Sequence, residues 1–137
     1  MYNNIHRVLI GLSFIIPLII YILTMAPTTS FWDCGEFIAT SYILGVPHPP
    51  GAPFYLLLGN IFSSIPIFSD IGARVNLISP IVSAFSVMFL YMIIVYLIEE
   101  YRGRANTIYD FIIIYASAFT AAMTFAFTDS HWFNAVE

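Results

Sequence analysis

Charge is what this chain has least of. Only 9% of its 137 residues are charged, against roughly 25% in a soluble domain. So few charges could not cover a water-facing surface. Arg7, Arg74, Arg102 and Arg104 are its basic residues, and the net charge is −4. With no basic stripe, nucleic acid is not expected as a partner. Cys34 is the single cysteine, which excludes an internal disulfide and any multi-cysteine zinc site.

What is present is apolar: 60% of residues are hydrophobic and the mean hydropathy is +0.88. The fold class expected is all-α integral membrane. A membrane protein this short has few helices with which to enclose a cavity. Residues 1–137 are therefore expected to be one membrane domain, and a fragment of a longer one.

Three transmembrane helices are expected, at about 8–25, 75–98 and 107–128. The first is apolar except for Ser13 and Thr24, close to the roughly 20 residues a span needs. A cleaved signal peptide is the rival reading, because Thr24-Met25-Ala26 loosely resembles a cleavage site. The apolar run exceeds a signal core of roughly 7–15 residues, and Pro27 is a poor residue to follow a cut, so an anchor is expected. In the third, Ala116, Ser117, Ala118, Ala121 and Ala122 suit close helix packing.

Arg7, Arg102 and Arg104 fall on one side of this arrangement and Arg74 on the other. Basic residues mark the cytoplasmic side. The N-terminus is therefore expected in the cytoplasm and the loop 26–74 outside it, in the periplasm of a bacterial inner membrane. Phe54 to Phe68 is apolar but too short to span, and Gly59, Asn60 and Pro66 interrupt it. A helix lying in or dipping into the interface is expected there.

The loop 26–74 carries the polar chemistry. Thr28, Thr29 and Ser30 offer helix N-caps, Phe31 to Leu44 reads as a helix, and Gly45 and Pro47 are stop signals. On that helix Thr29, Asp33, Glu36 and Thr40 form one polar stripe, opposite an apolar side of Phe31, Ile38 and Tyr42. Carboxylates at i and i+3 are about 5–6 Å apart at Cβ, and their repulsion is expected to raise the pKa of at least one. The pair suits a general base with a tuning neighbour, or a divalent cation bound with phosphates. It also suits the dipole of a helix start with no further role.

The run Val46-Pro47-His48-Pro49-Pro50-Gly51-Ala52-Pro53 has four prolines, which fix φ and remove donors. It reads as a stiff turn presenting His48, either to a phosphate or developing charge or simply to interfacial water, the reading preferred from the residues alone. Pro53 is placed to open the next helix. Arg74 suits a phosphate, a snorkelling position, or a pair with Asp70 or a loop carboxylate. Cys34 reads as packing and Asp110 as a solvated helix end.

The segments Ser30 to Phe37, His48 to Pro53 and Arg74-Val75-Asn76-Leu77 resemble a specific membrane family. It was catalogued in bacteria as a domain of unknown function, and its eukaryotic relatives are protein O-mannosyltransferases. It belongs to the GT-C class of polytopic glycosyltransferases. Asp129 to Glu137 resembles the opening of the family's next external motif. The resemblance implies the N-terminal part of a GT-C fold that transfers a hexose, with mannose the first candidate, from a polyprenyl phosphate to protein Ser/Thr hydroxyls. By that resemblance Asp33 is the base and Glu36 its partner, His48 and Arg74 contact the donor phosphate, and Trp32 lines the sugar or lipid site. The implied partners are the lipid-linked donor, a protein acceptor and membrane lipids. No cofactor or metal is required, though a divalent cation is compatible with the carboxylates. Two alternatives stand beside this: a non-enzymatic membrane subunit or transporter segment, and a GT-C enzyme with a lipid or glycan acceptor. A fragment of this length is expected to be inactive alone.

Overall fold

The computed structural model describes residues 2–137, with side chains from Asn4 onward. Its described residues are helical, with no strand among them. Helix α1 spans Tyr2–Thr24, and Pro17 is accommodated inside it. Helices α2 (Cys34–Ile43), α3 (Pro53–Ser64) and α4 (Ile71–Asn76) follow. Next come α5 (Ile78–Arg102) and α6 (Ile108–Phe111). Helix α6 passes through a π-helical stretch, Ile112–Ala116, into α7 (Ser117–Ala126), and α8 (Asp129–Val136) closes the series.

Three helical stretches are long and apolar enough to cross a membrane: Asn4–Thr24, Ile71–Arg102 and Ile108–Ala126. They correspond to the three expected spans. The second is the longest because α4 continues into α5 through Leu77, whose backbone is itself right-handed helical. Asp70 starts α4 by accepting from the Ala73 N–H at 3.2 Å. Asp110, expected to be merely solvated, closes a reciprocal capping box with Thr107 at the start of α6.

The spans pack as an antiparallel bundle. The Tyr21 hydroxyl donates to the Ala126 carbonyl at 2.7 Å, joining the end of α1 to the end of α7. At the opposite end, His6 Nδ1 lies 3.0 Å from the Tyr91 hydroxyl on α5. The core runs along Val87, Tyr91 and Val95 of α5 against Ile114, Tyr115, Ala118, Ala122 and Ala126. Small residues do form this seam, but with a four-residue period. Ala118 and Ala122 are buried, Ser117 and Ala121 are exposed, and Ala126 extends the row.

Helices α2, α3 and α4 form a second layer at the end of the bundle that carries the first loop. The packing of α2 on α3 is close because Gly59 faces Ser41, and a Cβ at Gly59 would collide with that side chain. Asn60 Nδ2 donates to the carbonyls of Ser41 and Tyr42 at 3.0 and 3.1 Å, satisfying the end of α2. Pro53 opens α3 as expected. The helix has 12 residues, fewer than a span needs, and turns Phe54, Leu57 and Ile61 outward.

Candidate functional site

Helix α2 begins later than its sequence suggests. Thr28, Thr29 and Ser30 do not cap it; Asp33 occupies the N-cap position without a side-chain capping bond. The cause lies one residue earlier, where Trp32 takes a left-handed backbone with φ of 57°. That conformation is uncommon for a non-glycine residue. It turns the chain sharply and leaves Phe31 and Trp32 off the helix and exposed. The expected stripe therefore shortens. Glu36 and Thr40 lie on α2, Asp33 stands at its threshold, and Thr29 lies outside it. At the other end Leu44, not Gly45, adopts the left-handed cap, and the Gly45 N–H returns to the Thr40 carbonyl at 2.8 Å.

The proline-rich turn folds back onto this threshold, with Pro49-Pro50 in the cis form. Glu36 holds it from two sides. One carboxylate oxygen accepts from the His48 backbone N–H at 2.7 Å, and the other lies 2.8 Å from His48 Nδ1. That bond directs Nε2 toward Asp33, whose carboxylate is 4.0 Å away. The hydrogen bond to Glu36 holds the His48 pKa above the ordinary histidine value, and the charges of Glu36 and Asp33 add to this. Glu36 is correspondingly shifted below the ordinary carboxylate value, first by the His48 side chain and then by its N–H. The raised pKa expected from carboxylate repulsion is thus not seen at Glu36, where a histidine bound directly to it sets the direction of the shift.

Asp33 also faces a cleft of about 440 Å³. Phe31, Trp32 and Cys34 line it from the turn and the start of α2, with Phe37 one turn further along. Ala52 and Tyr55 come from the region of α3, Ser79 from α5, and Asn134 and Glu137 from 129–137. Phe37 packs edge-on to both His48 and Tyr55, with ring centroids 6.1 and 5.6 Å apart, so one aromatic joins the acidic cluster to the cleft wall. A smaller cavity of about 280 Å³ shares Tyr55, Ser79 and Asn134 and continues between α3 and α5 past Phe54, Leu58, Ile78 and Val82.

The structure therefore brings Asp33, Glu36 and His48 together and sets Trp32 beside them. Arg74 goes elsewhere. Its guanidinium donates to the carbonyls of Phe68 at 2.6 Å, Ser63 at 3.0 Å and Ser69 at 3.4 Å, bracing the connection from α3 to α4. It pairs neither with Asp70 nor with a carboxylate of the cluster among the described residues. Cys34 meets the expected packing role in part, with Sγ 3.6 Å from Asn76 Oδ1, while also lining the cleft. One ligand atom from each of Asp33, Glu36 and His48 could meet a metal ion, all within 4.8 Å of one another. Each Glu36 oxygen already takes one hydrogen bond from His48, which leaves further carboxylate lone pairs and His48 Nε2 available to an ion.

Sequence reasoning gave no role to Tyr55, Ser79, Asn134 or Glu137. Asn134 and Glu137 carried a signal, since a spacing of three puts both on one helical face. Tyr55 and Ser79 sit in runs that read as apolar, and only the packing of α3 beside α5 reveals them.

Residues 33–137 match the family described as the protein O-mannosyl-transferase TMEM260 N-terminal domain. The chain belongs to this family. A relative from Dictyostelium discoideum, named protein O-mannosyl-transferase tmem260, is 35% identical over 85 residues, covering 61% of this chain and 10% of the relative. Protein O-mannosyl-transferase TMEM260 of Mus musculus is 30% identical over 84 residues, 61% of this chain and 12% of that protein. The chain thus spans about a tenth of the length of these relatives. Both come from eukaryotes, so a bacterial inner membrane finds no support among them. No solved structure matches.

Proposed function

We propose that the intact protein transfers a hexose, mannose by the names its relatives carry, from a polyprenyl-phosphate donor to Ser or Thr hydroxyls of protein. The chain would form the first part of a GT-C-type fold. The observation that carries this reading is the position of Asp33. Its carboxylate stands on the wall of an aromatic-lined cleft and also faces a histidine fixed by a second carboxylate.

In the proposed reaction the acceptor oxygen attacks the anomeric carbon as the bond from that carbon to the phosphate oxygen breaks. The electron pair of the breaking bond leaves with the phosphate. The hydroxyl proton passes to the Asp33 carboxylate, and the configuration at the anomeric carbon inverts. His48, whose protonated form Glu36 favours, would donate from Nε2 to the phosphate as its charge grows. Trp32 and Tyr55 supply aromatic surface for the sugar. Arg74 braces the loop with three of its five N–H donors, and the remaining two are proposed to be open to the donor phosphate.

The loop is proposed to face away from the cytoplasm. Arg7 on α1 and Arg102 at the end of α5 share the bundle end opposite the cluster, which the preference of basic residues for the cytoplasmic side supports. A transporter segment would be expected to hold its carboxylates within a span. Asp33 and Glu36 lie outside all three candidate spans and are exposed, which favours chemistry on a headgroup.

The test is Asp33→Asn in the intact protein, assayed with mannosyl phosphoryl polyprenol and a Ser/Thr peptide. Loss of a positioned base costs on the order of 10²- to 10⁴-fold, with membrane insertion unchanged. Transfer at the parent rate removes Asp33 as the base. Transfer to lipid or glycan but to no peptide changes the acceptor class.

A further inference from the structure

The stretch from Ala26 to Asp33 carries the proposed base yet has no helix of its own. What holds it comes from far along the chain. Asn76, buried at the end of α4, donates from Nδ2 to the carbonyls of Ala26 at 3.1 Å and Thr28 at 2.8 Å. From the other side, the Ala26 N–H donates to the Val136 carbonyl at 2.8 Å. One carboxylate oxygen of Glu137 accepts from the Phe31 N–H at 3.2 Å and the Ser30 hydroxyl at 3.4 Å. The last pair matters most, because Phe31 is two residues from Asp33 and immediately precedes the left-handed turn at Trp32.

We infer that Glu137 is a positioning residue: it clamps the backbone at Ser30 and Phe31 so that the Trp32 turn delivers the Asp33 carboxylate to the cleft. It acts through these two hydrogen bonds and not through its negative charge. A carboxamide oxygen accepts the same two hydrogen bonds from an N–H and a hydroxyl, though more weakly than a carboxylate, which separates the two roles. A charge acting on substrate or on a cation is lost in glutamine, whereas a clamp survives. Misplacing a reacting group by about 1 Å costs on the order of a hundredfold in rate.

The inference rests on the transfer reading only for its kinetic arm; amide exchange tests the clamp independently. In the intact protein, Glu137→Ala is expected to speed hydrogen exchange across residues 26–34. It should also lower kcat by on the order of tenfold to a hundredfold, with KM for the mannosyl phosphoryl polyprenol nearly unchanged. Glu137→Gln should restore both the slow exchange and most of the rate. Parent-like exchange in Glu137→Ala overturns the clamp whatever happens to the rate. So does a Glu137→Gln protein as slow as Glu137→Ala with the segment still protected, because charge would then be the property that counts. If no variant or parent transfers sugar, the transfer reading fails, and the exchange comparison still decides the clamp.

Discussion

Replacing Gly59 by alanine tests whether the packing of α2 on α3 sets the geometry of the acidic cluster. A Cβ built at Gly59 would lie 2.7 Å from Ser41 Cβ, and ordinary contact begins at 3.4 Å. The helices must therefore part locally by the difference, about 0.7 Å. Ser41 has no exposed surface, and its Cβ is fixed to the backbone, so rotating the hydroxyl away does not relieve the clash. Overpacking of this size costs about 1–3 kcal/mol. The separation also reaches the site, because Glu36 rides on α2 while His48 lies on the turn that leads into α3. Stretching their 2.7 and 2.8 Å bonds by as much brings them to the edge of hydrogen bonding.

Thermal unfolding of the detergent-solubilised intact protein, read by fluorescence, should show a lower midpoint for Gly59→Ala, and the transfer rate should fall with it. Ser41→Gly should rescue the double variant partly, against a helix penalty of about 1 kcal/mol. Ser41→Ala should not rescue it, because the offending Cβ remains. Alone, Ser41→Ala should be neutral or mildly stabilising, since the deleted hydroxyl oxygen is buried without a partner. A Gly59→Ala protein with the parent's midpoint and rate refutes the reasoning.

Other perturbations probe the cluster and its supports. The His48 contribution to the pair is complete below the ordinary histidine pKa and fades as pH rises through its raised value. The Glu36 contribution is complete above the ordinary carboxylate pKa and fades as pH falls through its lowered value. Glu36→Gln should therefore move the alkaline limb of kcat/KM to lower pH, and a limb that stays in place would dissociate His48 from the rate. Asn76→Ala removes two donors to the 26–30 backbone, at about 1 kcal/mol per hydrogen bond; proteolysis within that segment should quicken, and an unchanged cleavage rate would show that the segment is held elsewhere. Treatment with a chelator should leave transfer unaffected, because the proposed proton transfers to Asp33 and from His48 call for no ion; activity recovered only on adding magnesium or manganese would reverse that assignment.

The spans were legible because length and hydropathy are additive properties of a segment. Asp33, Glu36 and His48 could be singled out for a similar reason: ionisable groups clustered beside a rigid turn stand out in so apolar a chain. The start of α2 was misjudged because nothing local forbids helix from Phe31 onward. The left-handed turn at Trp32 accompanies contacts with Glu137, more than a hundred residues away. Arg74 illustrates the same limit. Its charge suggested a phosphate partner, yet the carbonyls left open at the end of α3 and along the following turn take up three of its five donors. Propensity cannot reveal where unpaired backbone carbonyls will collect.

Those unpaired backbone groups also explain why the site is assembled from three separate stretches. A segment that is neither helix nor strand must find partners for its N–H and C=O groups. For 26–33 these are Asn76, at the end of α4 within the second candidate span, and Val136 and Glu137, beyond the third. The same contacts that order the segment bring α5 and the 129–137 region to the cleft, where Ser79 and Asn134 complete its wall. The irregular backbone and the composite cleft thus have one origin. Transplanting residues 26–64 alone into another membrane scaffold should reproduce the Glu36–His48 pair, whose supports on α2 and α3 travel with it, and lose the placement of Asp33, whose partners do not.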